Sequence, residues 1–310
     1  GATPVQEIAF TLSDAIAYVK AAVAAGLDVD DFAPRLSFFF VSRTTLIEEV
    51  AKFRAARQVW ARIMKDKFGA KSEKSMQLRF HTQTAGVQLT AQQPEVNLVR
   101  VTIQALAATL GGTQSLHTNS FDEALALPSD KAARLALRTQ QVIAFETGVL
   151  DSPDPLAGSY ELERMTDELE REIWDLLAGI EKRGGALECI NNGYFVNEIS
   201  ENSYKLTMAI ESGARKVVGV NAFQSESAPF KPFEINPKSE SEQVASVKAV
   251  RAKRDNQAVT TALANLLTAA KAGENIVPTT IEAIKAYATV GEIVNELRKV
   301  YGKWQPTKIF

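Results

Sequence analysis

Two histidines stand in this chain, and each closes an apolar run and opens a similar polar phrase: His81 begins HTQT and His117 begins HTNS. Imidazole can ligate a metal, carry a proton or hold a loop by hydrogen bonding. A zinc or iron site needs a third nitrogen, sulfur or carboxylate ligand, and the only nearby carboxylates after His117 are Asp122 and Glu123. No metal ligand is therefore assigned. A hydrolytic triad lacks its GxSxG turn, and Cys189 lies in a Gly-flanked helical stretch with no histidine nearby. General acid–base work fits imidazole in type. The plainer role is that of a pocket organiser, a histidine at the end of a buried strand fixing a neighbouring loop through a carbonyl or hydroxyl.

The neighbours of the histidines say more. Gln83, Gln88, Gln114 and Asn119, with Ser37, Thr82, Thr84 and Ser115, offer neutral donors and acceptors and few charges. That lining suits a ligand rich in carbonyl and amide groups, held without proton transfer. Arg35 is the exception; it fits a phosphate or carboxylate, or else a salt bridge at a strand end. Phe38, Phe39 and Phe40 read as core, with one of them free to wall a pocket.

Short β-rich runs carry these residues, and helices separate them. Ile8, Leu12, Ile16, Val19 and Val23 recur at helical spacing before Gly26, and RLSFFFV follows Pro34. Thr45 and Glu48 have capping-box spacing at the start of a helix that runs to Gly69. MQLRFHT is the second run; Pro94 leads into a helix ending at Gly111-Gly112, TQSLHT is the third run, and Ser129 caps a helix towards Gly148. Strands separated by crossover helices, with no hairpin signal, predict an α/β fold with a parallel sheet. Three strands and four helices amount to about half of an eight-stranded barrel of about 250 residues. A doubly wound sheet stays open as the alternative, although no Gly-rich phosphate turn follows a strand.

Beyond DSPDPLAGSY the chain turns helical, over roughly 161–183 and 194–211, with a short strand at KVVGVN and an extended linker at FQSESAPFKPFEINPKSESEQ. Two last helices are expected at about 240–272 and 279–301. The expected regions are 1–150, the end of a barrel; 151–225, a helical extension; and 226–310, a linker and C-terminal helices.

Composition narrows the class. A net charge of −2 over 310 residues gives no footprint for nucleic acid or membrane. No apolar stretch reaches membrane-span length, no signal peptide opens the chain, and the lone cysteine suits a reducing, cytoplasmic setting. Gly1 drops straight into an amphipathic pattern and reads as a cut through a larger protein, whereas GKWQPTKIF reads as a finished tail.

The phrases APRLSFFF, LRFHTQTAG, LGGTQSLHTNSFDEALALP, DPLAGSYELE and VVGVN together resemble the catalytic large subunit of adenosylcobalamin-dependent acyl-CoA mutases, the methylmalonyl-CoA mutase family. The resemblance runs along nearly the whole chain. It implies the last three strands of a TIM barrel followed by a mainly helical C-terminal region, with acyl-CoA threaded through the bore and the corrin over one end. It implies an isomerase performing a radical carbon-skeleton rearrangement, methylmalonyl-CoA to succinyl-CoA first, with isobutyryl-CoA or 2-hydroxyisobutyryl-CoA as alternatives. Carried over by position, Arg35, Ser37, Phe39, Gln83, Gln114 and Ser115 fall on the acyl-CoA, and Gly86, Glu123 and Ala126 on the cobalamin. His81 and His117 become pocket organisers.

The resemblance also implies parts outside the chain. The family's principal active-site histidine and its tyrosine match positions upstream of Gly1, so no catalytic residue is assigned. Neither histidine fits the DxHxxG cobalamin signature, since Arg79 and Ser115 stand two positions before them. The cobalt ligand is then expected from a cobalamin-binding small subunit in a hetero-oligomer, with a G-protein chaperone as a further partner. One departure concerns substrate: fused methylmalonyl-CoA mutases carry tryptophan where this chain has Val87, and FFW where it has FFF. A reading of another class is a non-catalytic assembly module that docks a cobalamin-binding subunit.

Overall fold

The computed structural model describes residues 1–226 and 233–305. They fall into two compact units, Gly1–Phe233 and Glu234–Pro306.

In the first unit, α1 (Pro4–Ala24) starts at a capping box between Thr3 and Gln6. The short α2 (Val29–Phe32) and a 3-10 turn lead to β1 (Phe38–Ser42). Then come α3 (Leu46–Arg62), α4 (Glu73–Met76), β2 (Phe80–Thr84), α5 (Val96–Leu110), β3 (Ser115–His117) and α6 (Asp130–Glu146). The helices α7 (Tyr160–Lys182), α8 (Ala186–Asn191) and α9 (Tyr194–Glu211) follow. All three strands are parallel, in the order β1-β2-β3, as the crossover pattern predicted. Ser129 caps α6 as expected, accepting from the amide of Ala132. Thr45 occupies the N-cap of α3, but its side chain makes no cap bond and the box with Glu48 does not form. The hydroxyl and amide of Thr44 go instead to the Gln88 side chain, at 2.9 Å each, which turns the loop away from the box.

One face of the sheet is sealed. Phe38, Phe40, Phe80 and Thr82 point into α3 and α5, where the Phe53 ring stacks on Phe80 at 5.1 Å and Trp60 meets Phe38 edge-on at 4.9 Å. A Cβ on Gly111 would lie 2.4 Å from the Phe53 ring, so α5 can end this close only at a glycine. The helix α7 lays Leu162, Leu169, Ile173, Leu177 and Ile180 against this layer at helical spacing. Arg54 of α3 fixes its start, donating to Asp154, Glu163 and Thr166 at 2.8–3.1 Å.

The outer edge of β1 is held by charge. The amide of Val41 donates to Glu7 Oε1 at 2.6 Å, and its carbonyl accepts from Lys52 Nζ at 2.6 Å. Lys52 is fully buried and also donates to Glu7 at 2.7 Å and Glu49 at 2.5 Å. Two side chains thus occupy backbone groups that a further strand would otherwise pair.

Two C-terminal expectations are corrected, those for KVVGVN and for the last helices. KVVGVN forms no strand: Arg215 and Val217 are turned by the Asn221 side chain, leaving a single bridge between Val218 and Ala222. Of the expected linker, 227–232 lie outside the described residues, and the helix α10 (Ser239–Lys253) already begins within it. The two expected last helices are four. Asp255 stops the first pattern and caps α11 (Asn256–Ala272). Tyr287, at a φ of 63°, separates α12 (Val277–Lys285) from α13 (Val290–Tyr301). Within this second unit Leu266, Ala283 and Ile293 form the core, and Arg254 forks onto Glu292 at 2.6 and 2.7 Å. That fork holds the Glu292 carboxyl down at about 2.

The Lys52→Met variant leaves Glu7 and the Val41 carbonyl without their cation and Glu49 with Arg43 alone, at 3.4 Å. Denaturant unfolding should show a loss of about 3–5 kcal/mol, whereas Lys205→Ala, which breaks only the exposed pair with Glu201, should leave the midpoint unchanged.

Candidate functional site

The strand alternation that seals one face opens the other. Phe39 and Val41 of β1 align with His81 and Gln83 of β2, and these with Ser115 and His117 of β3. The result is two parallel rows, Phe39–His81–Ser115 and Val41–Gln83–His117. Phe39 is 54% exposed, between the buried Phe38 and Phe40; it is the one of the three free to wall a pocket. Its ring lies 5.2 Å from that of His81, and His81 Nδ1 shares a 2.7 Å hydrogen bond with Ser115 Oγ. The imidazole of His117 is exposed and has no hydrogen-bond partner among the described residues.

Thr82 and Thr84 are not in this lining. Both point into the sealed face, where Thr82 donates to the Thr113 hydroxyl at 2.8 Å and Thr84 accepts from the Asn119 amide at 2.9 Å. Period two makes that necessary once His81 and Gln83 face outward. Gln88 also leaves the lining: its carbonyl oxygen receives Thr44 and Gln104 and holds the loop after β2.

The remaining residues extend the rows along the strand direction. Arg35 and Ser37 precede β1, both exposed, and Arg35 pairs with no carboxylate among the described residues. Gln114 precedes β3, with its side-chain carbonyl accepting from the Phe80 amide at 2.6 Å and its NH2 donating to the Gly112 carbonyl at 2.8 Å. These three lie at the strand starts, not beyond the C-terminal ends where a loop-built site would put them. Gly86, Glu123 and Ala126 lie past the other end, so the named residues stretch along the whole length of the sheet. From Ser37 to Val41 alone the rise is about 13 Å.

Asn119 organises the far end. Its oxygen accepts from Gln83 Nε2 at 2.9 Å, and its NH2 donates to the Thr84 carbonyl at 2.9 Å. The loop behind it is tied down by Asn97, which donates to the Phe121 carbonyl, and by Asp122, which accepts from the amide and hydroxyl of Ser129 at 3.0 Å. A Cβ on Gly86 would meet Glu123 Oε1 at 2.7 Å and the Asn119 amide at 2.9 Å. A side chain there would have to push the Glu123 carboxyl and the Asn119 amide aside. Burial of the Glu123 carboxyl, followed by the adjacent Asp122 charge, pushes its pKa above the ordinary glutamate value. Among the described residues no three His, Cys, Asp or Glu side chains come together as a metal site, and no helix is long and apolar enough to cross a membrane.

Reasoning from residue types named Asn119 as one more lining amide and missed its central place. Val41 was missed as well, although the alternation from Phe39 points to it. The buried set around Lys52 left no sequence signal, since acids and lysines on a helix ordinarily read as a solvated face.

Fold and site together describe an α/β protein with a parallel sheet whose open face bears a polar and aromatic column. The profile of the family described as methylmalonyl-CoA mutase matches residues 1–303. The chain is 47% identical over its whole length to the 2-hydroxyisobutanoyl-CoA mutase large subunit of Aquincola tertiaricarbonis. It is 45% identical over 98% of its length to the methylmalonyl-CoA mutases of Rhizobium meliloti (strain 1021) and Escherichia coli (strain K12). The chain belongs to the methylmalonyl-CoA mutase family. It spans 56% of the length of the first relative and 43% of each of the other two.

Carbon-detected NMR of the side-chain carboxyls gives a direct check on the Gly86–Asn119–Glu123 corner. Glu123 should titrate above 4.5, and Asp122→Asn should bring the midpoint part of the way down. Because the folded form of this acid holds its proton more tightly than the unfolded form, its contribution to stability falls as pH rises from the unfolded value to the raised one. An ordinary midpoint, unmoved by Asp122→Asn, would contradict the packing described.

Proposed function

We propose that this chain forms part of an adenosylcobalamin-dependent acyl-CoA mutase and builds one wall of its acyl-CoA channel. The observation that carries the reading is the column on the open sheet face, from Arg35 at the strand starts, through Phe39, His81, Ser115 and Gln83, to Gly86 at the far end. A coenzyme A thioester is long, amide-rich and anionic at one end. An unpaired guanidinium suits its phosphates, and neutral amides and hydroxyls along the strands suit its pantetheine arm. Consecutive parallel strands with helices on one face support the end of a (β/α)8 barrel, whose closure by a further strand at β1 requires that strand to meet the edge at which Glu7 and Lys52 now hold Val41.

The far end fits a corrin. Gly86 carries no side chain and Val87 beside it is 86% exposed, so the macrocycle has room to approach there and its amides meet the hydrogen-bonding Glu123 carboxyl, whatever proton that group carries. Gly86, Glu123 and Ala126 would hold that group. Adenosylcobalamin, when bound, supplies a cobalt–carbon bond that breaks homolytically and starts the hydrogen transfer. The chain's own residues hold the thioester. Gln83, fixed by Asn119, and Ser115, fixed by His81, keep their polar groups in set directions, and Phe39 excludes water from the face. Little charge develops when a thioester carbonyl moves to a neighbouring carbon, so a site of neutral groups is adequate.

Methylmalonyl-CoA to succinyl-CoA is the first substrate pair, as the family profile supports. A second reading rests on the relative at 47% identity, named for 2-hydroxyisobutanoyl-CoA, and on the small Val87. Moving the carbonyl of that thioester to a methyl carbon gives 3-hydroxybutyryl-CoA. The name "large subunit" supports a hetero-oligomer with a cobalamin-binding partner, in a cytoplasmic setting that the lone cysteine suits.

The test is an isomerisation assay by liquid chromatography on the natural protein containing this chain, with its cobalamin-loaded partner and each acyl-CoA. One of the two pairs should interconvert. Gln83→Leu, removing a hydrogen bond worth about 1.4 kcal/mol, should lower kcat/KM about tenfold. Conversion of neither substrate would overturn the reading.

A further inference from the structure

Between α5, α9 and the turn at 215–220 lies a cavity of about 470 Å3, within the range of small-molecule sites. Its walls are aliphatic: Val99 and Ile103 from α5, Leu206 and Ile210 from α9, Val218 and Val220 from the turn. Its polar members are Thr44, Gln88 and Thr90 together with three cations. Arg100, Arg215 and Lys216 line it, no carboxylate does, and none of the three forms an ion pair among the described residues.

Arg100 is the informative one. Its guanidinium is half-buried and donates only to neutral acceptors, the Val218 carbonyl at 2.7 Å, Asn97 Oδ1 at 2.7 Å and Thr90 Oγ1 at 3.1 Å. Burial lowers its pKa. A desolvated cation without a counter-ion gains from any anion that reaches it. The larger cavity, about 600 Å3 between α1 and α7, differs on this point: there Lys20 and Lys67 pair with Glu181, and Arg62 pairs with Glu170.

We propose that the α5–α9 cavity, which adjoins the far end of the sheet face at Val87 and Gln88, is a second ligand site that takes an amphipathic oxyanion: an aliphatic body with a carboxylate or phosphate head. The body lies on Val99, Ile103, Leu206 and Ile210, and the head meets Arg100, Arg215 and Lys216. A small ligand fits better than a protein segment, because the apolar surface is recessed between two helices and a turn instead of spread as a flat patch. The sheet face and this cavity share the Gln88 loop, held by Thr44 and Gln104, so an occupant sits one side chain away from Gly86. The proposal does not depend on the mutase reading.

Calorimetric titration of the full chain tests it, with octanoate and octyl phosphate as probes and octanol as the neutral control. At least one of the two anions should bind, and octanol about tenfold or more weakly; which anion binds tighter identifies the head group. Replacing Arg215 and Lys216, both exposed, by glutamine should weaken the anion to the level of octanol. Val99→Trp, at a position 59% exposed, should fill the cavity and abolish binding without changing the melting temperature. No heat from either anion, equal affinity for octanol, or binding that survives Val99→Trp would each overturn the proposal.

Discussion

Everything at the candidate site depends on the register of β2 between its two parallel neighbours. Side chains alternate across a strand, so pairing Phe39 with His81 and His81 with Ser115 decides every other facing position. The same register sends Phe38, Phe40, Phe80 and Thr82 into the helices. A slip of β2 by one residue would bury His81 and Gln83 and expose Phe80, Thr82 and Thr84. The aromatic layer on α3 therefore specifies the site on the opposite face, even though it touches no ligand.

The helices hold this sheet with buried polar groups as well as apolar packing. Lys52, Glu7 and Glu49 terminate the β1 edge, Arg54 pins α7, and Asn119 ties the end of β2 to the loop after β3. Such groups are costly to bury and more costly to break singly. Their shared consequence is rigidity at the strand ends, which is what a site built from neutral hydrogen-bonding groups requires. With little charge to attract a substrate, selectivity must come from position.

The order of strands and helices in the first unit was legible because each β-rich run is bounded by a glycine, a proline or a capping serine, and because the helical periodicity of α1, α3 and α5 is strong. Phe39 and its neighbours were legible as a set, though not which one faces out until the strand's limits were known. The lining was harder. Thr82 and Thr84 are indistinguishable by type from true lining residues, and only the pleat separates them from His81 and Gln83. Gln88 and Gln114 have the composition of ligand contacts, yet their side chains satisfy backbone and loop. In the second unit Asp255 is of a type that favours a helix N-cap, a signal overridden by the continuous helical pattern on either side, whereas Tyr287 carries little boundary signal by type. Family membership rested on phrases such as GGTQSLHTNSFDEALALP, and those contain most of the residues at the far end of the column.

The register itself is open to one direct measurement, paired-cysteine cross-linking in a Cys189→Ser background. Gln83 and His117 are partners on the open face, with β-carbons close enough for a disulfide, whereas Gln83 and Leu116 point to opposite faces. The Gln83→Cys, His117→Cys pair should oxidise to an intramolecular disulfide, and the Gln83→Cys, Leu116→Cys pair should stay reduced under the same conditions. The reverse pattern would place the two histidines on different faces and remove the column on which the functional account rests.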